Sequence, residues 1–188
     1  MLRITTGKYK GKLIKTLEGE ATRPTSERIK QAIFSSIQFD VEGRRVLDLF
    51  AGSGQMGLEA LSRGAVEVTF IDLSRDALDI VKENAKRLGV FDECRYLASD
   101  WKNYIRKASG RVKFDLIFID PPYSLECARD AAYRLKEYDL LARGAIIVLE
   151  SGEEAITPDS LDGFEVLKST HYGKKTFVNI LLFRGDEE

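Results

Sequence analysis

The sequence predicts a doubly wound α/β fold, a seven-stranded and mostly parallel sheet ending in an antiparallel hairpin, with a small β-hairpin and helix in front of it. Three observations carry this. From Arg45 onward, apolar runs of strand length alternate with stretches of helical periodicity. One run, Phe114 to Ile119, is almost wholly apolar and stops at Asp120, Pro121 and Pro122, as a strand buried on both faces stops when it meets residues that cannot donate to a ladder. The last two runs, Phe164 to Ser169 and Thr176 to Phe183, leave no room for a helix between them and therefore pair antiparallel.

Taken in order, Leu2 to Thr6 alternates as a short strand, Gly7 to Gly11 turns, and Lys12 to Thr16 returns as its hairpin partner. A loop from Glu18 to Thr22 follows. Thr25 then reads as an N-cap, and Ile29, Ala32, Ile33 and Ile37 recur at helical spacing with Phe34 near the same face, which places a helix at 26–38. Gly43 separates this appendage, residues 1–42, from the main domain, residues 43–188.

The first strand of that domain is Arg45 to Phe50, which runs into the glycine loop Ala51 to Gly57 and a helix through Leu58, Ala60 and Leu61. Val66 to Ile71 is the second strand, ending at Asp72, and a helix follows at 75–88 with Ala77, Ile80, Val81, Ala85 and Leu88 on its apolar stripe. Cys94 to Ala98 is the third, closed by Ser99, Asp100 and Trp101 and by a helix to Ala108. The fourth, Phe114 to Ile119, precedes a helix through Ala128, Ala131, Ala132 and Leu135; Gly144 to Glu150 is the fifth, and Gly173 turns the closing hairpin. Strands that alternate with helices in this way build a Rossmann-like sheet.

The chain has 188 residues, 44% of them hydrophobic, which suits one well-sized domain with a small appendage. A net charge of −1 excludes a polycation, yet residues 1–38 carry eight cations (Arg3, Lys8, Lys10, Lys12, Lys15, Arg23, Arg28, Lys30) against three acids. A surplus at one end suggests an anionic partner there. Two isolated cysteines, Cys94 and Cys127, and a single histidine, His171, argue against a zinc site or a disulfide framework and for a reducing cytosol. With no apolar leader and no run of 18 apolar residues, the expectation is a soluble cytoplasmic monomer without membrane attachment or metal.

Two motifs carry chemistry. Gly52-Ser53-Gly54-Gln55-Met56-Gly57 satisfies G-x-G-x-x-G after a strand and before a helix, a context that permits dinucleotide binding with Asp72 on the ribose hydroxyls. The same geometry serves any nucleoside-bearing cofactor. Asp48, inside the first strand, can meet a cationic group for which NAD has no evident need, and Asp100 with Trp101 offers an acceptor for an adenine amine beside a ring that flanks the base. The ammonium, ribose and adenine of S-adenosyl-L-methionine match Asp48, Asp72 and Asp100 in turn. Phe50, Ala51, Gly52, Ser53, Gly54 and Leu73 complete the expected cofactor-binding set.

The second motif is FIDPPY. The Asp120 carboxylate and the Pro121 carbonyl can each accept an N–H bond, Pro122 prolongs the break, and the Tyr123 ring can stack on a base, a contact worth about 1–3 kcal/mol. Two fixed acceptors and a ring suit transfer to a planar amine. Guanine offers two neighbouring donors, which a carboxylate accepts better than an amide would, whereas a strand end with a packing tyrosine is the plainer reading of the motif by itself.

On these residues the chain resembles the class I S-adenosylmethionine-dependent methyltransferases, and more narrowly the bacterial RsmD family, which methylates a guanine exocyclic amine of small-subunit ribosomal RNA. The resemblance runs nearly end to end, through RITTGKYKGK, ATRPTSERIKQAIF, LDLFAGSGQMGLEALSRGA, FIDPPY and HYGKKTFVNILLF. The glycine loop and DPPY are shared by many amino-methyltransferases; the RPT-x-x-R segment is the specific part, and Glu27 stands where the family usually has aspartate. The resemblance implies a 16S rRNA (guanine-N2)-methyltransferase in which Asp120, Pro121, Pro122 and Tyr123 serve the transfer. The basic appendage would then hold RNA through Arg3, Lys8, Lys10 and Lys12, and through Arg23, Thr25 and Arg28. Its substrate would be ribosomal RNA, naked or within an assembly particle. The alternatives are an enzyme for another RNA, DNA or protein amine, an NAD-dependent oxidoreductase, and a non-catalytic RNA-binding module.

Overall fold

Every strand and helix expected from the sequence forms, and several keep their expected bounds. A computed structural model describes residues 1–17, 24–121, 125–152, 162–173 and 176–185. The chain divides into two units, Met1–Asp100 and Trp101–Glu188.

In the first unit, β1 (Leu2–Arg3) pairs antiparallel with β2 (Leu13–Ile14), Leu2 opposite Ile14. Both strands are shorter than the sequence suggests. The backbone N–H groups of Thr5 and Thr6, which would have extended the ladder, donate instead to the Glu59 carboxylate. Helix α1 (Pro24–Ser36) begins two residues earlier than expected, because proline has no N–H to lose in a first helical turn and its φ is already suitable. Thr25 therefore lies inside that turn and is not its N-cap.

Then come β3 (Arg45–Asp48), α2 (Gln55–Ser62), β4 (Glu67–Asp72), α3 (Arg75–Leu88) and β5 (Cys94–Ala98). The strands run parallel in the order β5-β4-β3, with Val46 opposite Val68 and Val68 opposite Cys94. Helix α2 packs on β3 and β4, and α3 on β4 and β5. Val46, Leu47, Val68, Phe70 and Ile71 are fully buried beneath them. Ser74 caps α3 by accepting from Ala77 N, and Gly89 closes it in the left-handed conformation, φ 75°.

The second unit holds α4 (Trp101–Ala108), β6 (Phe114–Ile119), α5 (Leu125–Glu137), β7 (Leu141–Ser151), β8 (Phe164–Tyr172) and β9 (Thr176–Phe183). Strand β6 runs parallel to β7, and β9 lies between β7 and β8, antiparallel to both. Strand β7 starts at Leu141, three residues before the expected Gly144. Leu141 already pairs with Phe114, and an irregularity that includes Gly144, at φ 79°, restores the register at Leu116 and Ile146. Strand β8 runs past Ser169 to Tyr172 because its pairs with β9 continue through His171 and Phe177, whose rings stack at 4.2 Å. Counted together, β3 to β9 are the seven strands of a mostly parallel sheet with antiparallel C-terminal strands. Among the described residues no helix is long and apolar enough to cross a membrane.

Candidate functional site

The glycine loop grows out of β3. Asp48 ends that strand only 4% exposed, and its Oδ2 accepts from Gly57 N at 3.0 Å, so a carboxylate sits at the amino end of α2, where the helix dipole favours it. Beyond it, Gly52 and Gly54 turn with φ of 51° and 79°, which non-glycine residues rarely adopt. Asp72, at the end of β4, holds the turn from below: its Oδ2 accepts from Gly52 N at 2.9 Å and its Oδ1 from Ser74 N at 2.8 Å. The third glycine has a different reason. A Cβ on Gly57 would lie 2.4 Å from the Phe70 ring, so Gly57 lets α2 pack against β4.

Two polar atoms of this loop stand out. Ser53 Oγ and Gln55 Oε1 are buried and have no hydrogen-bond partner. Buried polar groups are paired in the great majority of cases, and an orphan calls for an explanation. A ligand with its own donors and acceptors seated on the loop supplies one, and the amino-acid end of a nucleoside cofactor fits that requirement. Of the remaining residues expected to bind such a cofactor, Phe50 and Asp100 are half-buried, and Ala51 is buried and donates its N–H to Ile71 O. Leu73 is 76% exposed beside Asp72. Trp101, the first residue of α4, is buried, with Lys102 Nζ over its ring.

In the second unit, Leu116 to Ile119 are buried, whereas Asp120, one residue later, is exposed and Pro121 is buried again. Pro122 and Tyr123 lie outside the described residues. Strand β7 brings an acid that the sequence reading does not single out. Register places Ile119 opposite Leu149, so position 120 emerges beside Glu150. Burial, and after it the negative charge of Asp120, pushes the Glu150 carboxyl up to about 8. The available signal is symmetry: both acids end apolar runs in the same way.

Of the residues expected to hold RNA, Arg3, Lys8, Lys10, Lys12 and Arg28 are exposed. Arg23 and the side chain of Thr25 lie outside what is described. Two further cations of the amino-terminal surplus are spoken for. Lys15 pairs with Glu83. Lys30 is 2% exposed; its Nζ donates to Arg3 O at 2.7 Å and lies 3.5 Å from Glu59 Oε2. Burial lowers the Lys30 pKa, with Glu59 opposing the shift.

Glu59 is itself fully buried, and gathers Thr5 N, Thr5 Oγ1, Thr6 N, Lys30 Nζ and Arg63 Nε around its two oxygens. Ser62, one turn on, donates to Thr6 O at 2.6 Å and accepts from Tyr9 N at 2.9 Å. A Cβ on Gly7 would lie 1.8 Å from Ser62 O, so this contact requires glycine there. Asn84 of α3 accepts from Lys15 N at 2.8 Å and donates to Lys15 O and to Ser53 O of the glycine loop. The amino-terminal arm is thus bonded to the two helices that flank the loop. Neither Glu59 nor Asn84 is expected from the sequence; the hint for Asn84 is its place on the apolar stripe, three residues after Val81 and four before Leu88.

Comparison with known proteins adds a family. The model for Conserved hypothetical protein 95 matches residues 2–180. YlbH of Bacillus subtilis, provisionally named an rRNA methyltransferase, is 34% identical over 92% of this chain and 94% of its own. Ribosomal RNA small subunit methyltransferase D of Haemophilus influenzae is 32% identical over 85% of this chain and 84% of its own. A solved structure of yhhF from Escherichia coli, provisionally named a methyltransferase, superposes with a TM-score of 0.88 at 24% identity, covering 98% of this chain and 99% of that one, which shows the shared fold.

Proposed function

This chain belongs to the Conserved hypothetical protein 95 family, and from that premise we propose that it methylates a guanine exocyclic amine in 16S ribosomal RNA with S-adenosyl-L-methionine as donor. The observation that carries the reading is Asp120: a carboxylate exposed at the end of a strand that is otherwise buried. An acid so placed offers a substrate carboxylate oxygens as acceptors.

The donor, when bound, supplies a methyl group already activated on a sulfonium. Asp72 keeps lone pairs for ribose hydroxyls, since each of its oxygens accepts one backbone N–H and a carboxylate has about four acceptor sites. Ser53 Oγ and Gln55 Oε1 meet the amino-acid end, with Asp48 supplying negative charge nearby in the loop. Asp100 accepts from the adenine amine, and Leu73 and Trp101 provide apolar surface. Asp120, with the Pro121 carbonyl, orients the guanine amine and takes the proton it sheds on alkylation; Tyr123 stacks on the base. A base attacked at its amine leaves its stack to reach such a group. Residues 1–42 form the RNA-holding part, with phosphates on Arg3, Lys8, Lys10, Lys12 and Arg28. The protein acts as a cytoplasmic monomer on ribosomal RNA, naked or within a small-subunit assembly particle.

The test is mass mapping of ribosomal RNA from cells lacking this protein. One methylguanine of the small-subunit RNA should disappear and return on complementation with the wild type but not with Asp120→Ala. An unchanged methylation map overturns the reading.

A further inference from the structure

We propose that Glu150 is a positioning residue for methyl transfer, whose carboxyl donates a hydrogen bond to the Asp120 carboxylate and fixes the oxygen that Asp120 turns to the amine. The proposal rests on the reading that Asp120 holds that amine. Its geometry comes from the sheet. The parallel pairs from Leu116–Ile146 to Ile119–Leu149 run without a break to the carboxyl end of β6, while β7 continues through Glu150 to Ser151, so positions 120 and 150 follow side by side. Their neighbours on the same side of the strands are apolar: Phe118, Val148 and Val178, the residue paired with Glu150 on β9, are all buried.

Two carboxyls so placed do not readily both ionise, because the second negative charge would form against the first on an apolar floor. Charged and titratable groups near this end of β7 are few among the described residues. They are Asp120 beyond β6, Glu126, Cys127, Arg129 and Asp130 in the first half of α5, and Lys168, His171 and Tyr172 on β8, one strand beyond β9; β9 contributes none, and Asp115 and Arg143 lie toward the opposite ends of β6 and β7. Of these, Asp120 is the group that acts on Glu150. The more buried acid keeps the proton, and the exposed one keeps the charge.

The proton count closes on this arrangement. At neutral pH the pair holds one proton, on Glu150. As the new N–C bond forms and the bond from that carbon to sulfur breaks, the amine carries one proton too many; Asp120 takes it, and the pair holds two. Asp120, being exposed, returns the proton to water. Glu150 ends as it began. Its work is to hold Asp120 in one orientation, with a lone pair directed at the amine.

Two measurements test this. Infrared spectroscopy of the protein alone should find a protonated carboxyl at neutral pH that ionises with a midpoint near 8, absent in Glu150→Gln and shifted to lower pH in Asp120→Asn. In single-turnover methylation the wild type should lose rate above that midpoint, as a second negative charge turns Asp120 away. Glu150→Gln, which keeps a donor but cannot ionise, should run near the wild-type rate at neutral pH and lose the alkaline fall, and Glu150→Ala should lose about a hundredfold at every pH, the cost of a misplaced group. A wild type with no protonated carboxyl at neutral pH, or a Glu150→Gln enzyme that keeps the alkaline fall, overturns the proposal. Should Glu150→Gln not fold, the infrared titrations of the wild type and Asp120→Asn decide by themselves. Full methylation by Asp120→Ala would overturn the underlying reading, a result separate from any of these.

Discussion

Asp72 accepts backbone N–H groups from Gly52 and Ser74 at 2.9 and 2.8 Å, whereas Asp120 stands exposed past the end of β6 beside a half-buried acid. Both are aspartates that follow buried apolar strands. The first belongs to a region organised by the main chain: Asp48 holds Gly57, Asp72 holds Gly52, Asn84 holds Ser53, and the loop is set before any ligand arrives. The second belongs to a region organised by charge, where burial, and after it the charge of Asp120, holds the Glu150 carboxyl above the ordinary carboxylate range. On the proposed reading, strand-end carboxylates acquire separate tasks from their surroundings, one set as scaffold and binding acceptor, the other as proton acceptor. If that division is right, substitutions in the two regions should damage different observables.

The largest effect should come from Asp120→Ala. It removes orientation and proton acceptor together and should lower the single-turnover methylation rate about 10²–10⁴-fold, with cofactor affinity by calorimetry unchanged. Loss of affinity alongside rate would erase the contrast between the regions. Asp120→Asn is sharper: it keeps the shape but presents an NH₂ where guanine also presents donors, so most guanine methylation should go, and near wild-type activity would end the preference for guanine.

Next in size is Glu59→Ala. It leaves Lys30 buried without its anion and strips acceptors from Thr5 and Thr6, which should cost roughly 3–5 kcal/mol of stability in denaturant unfolding. A double replacement is the cross-check: Lys30→Met together with Glu59→Leu should recover the part of that loss due to the unpaired Lys30 charge, because well-packed apolar residues often replace a buried pair without penalty, while Thr5 and Thr6 still lack their acceptor.

Glu59 and Asp120 also mark what is legible in the sequence. The strand ending at Asp120, the glycine loop and Asp72 are readable because each rests on a local rule: an apolar run, proline, φ above zero, an acid at a strand end. Glu59 and Lys30 are not, because a charge between apolar neighbours in a helix reads as an edge of the solvated face until the segment that covers it is known. In this chain that segment is Arg3 to Thr6, more than fifty residues away from Glu59 in sequence, and the same contact shortens the hairpin expected there. Glu150 is hidden differently. Its type and position are plain, but its role depends on register between β6 and β7, which periodicity does not give. Pro24 is a local miss: the N-cap preference of Thr25 yields to the preference of proline for a first helical turn.

Third comes Asp72→Ala. A charged hydrogen bond contributes about 1.5–3 kcal/mol, so cofactor affinity by calorimetry should fall roughly 10- to 150-fold while the fold survives. Since Asp72 also tethers Gly52 and Ser74, amide exchange at those two residues should quicken in the same variant. Unchanged affinity in the folded protein would mean that Asp72 is scaffold alone.

The smallest effect should be that of Lys12→Ala, and it asks whether a third region, the basic arm, acts independently of the other two. Lys12 is exposed, and its backbone is already committed, its N–H to Tyr9 O and its carbonyl to Ile4 N, so removing the side chain leaves the turn standing. What goes is one cation available to a phosphate. Each such contact with single-stranded nucleic acid contributes about 0.7 to the slope of log affinity against log salt, so the slope should drop by about that amount and affinity at physiological salt by a few-fold. Lys15 is the built-in control. It is equally close in sequence but pairs with Glu83, so Lys15→Ala should leave the slope nearly unaltered. Cofactor affinity should be the same in both variants, since neither side chain bonds the glycine loop. Equal slopes for Lys12→Ala and the wild type would remove the phosphate-holding role from this part of the arm, and a matching change in Lys15→Ala would show that net charge, not a placed contact, sets the binding.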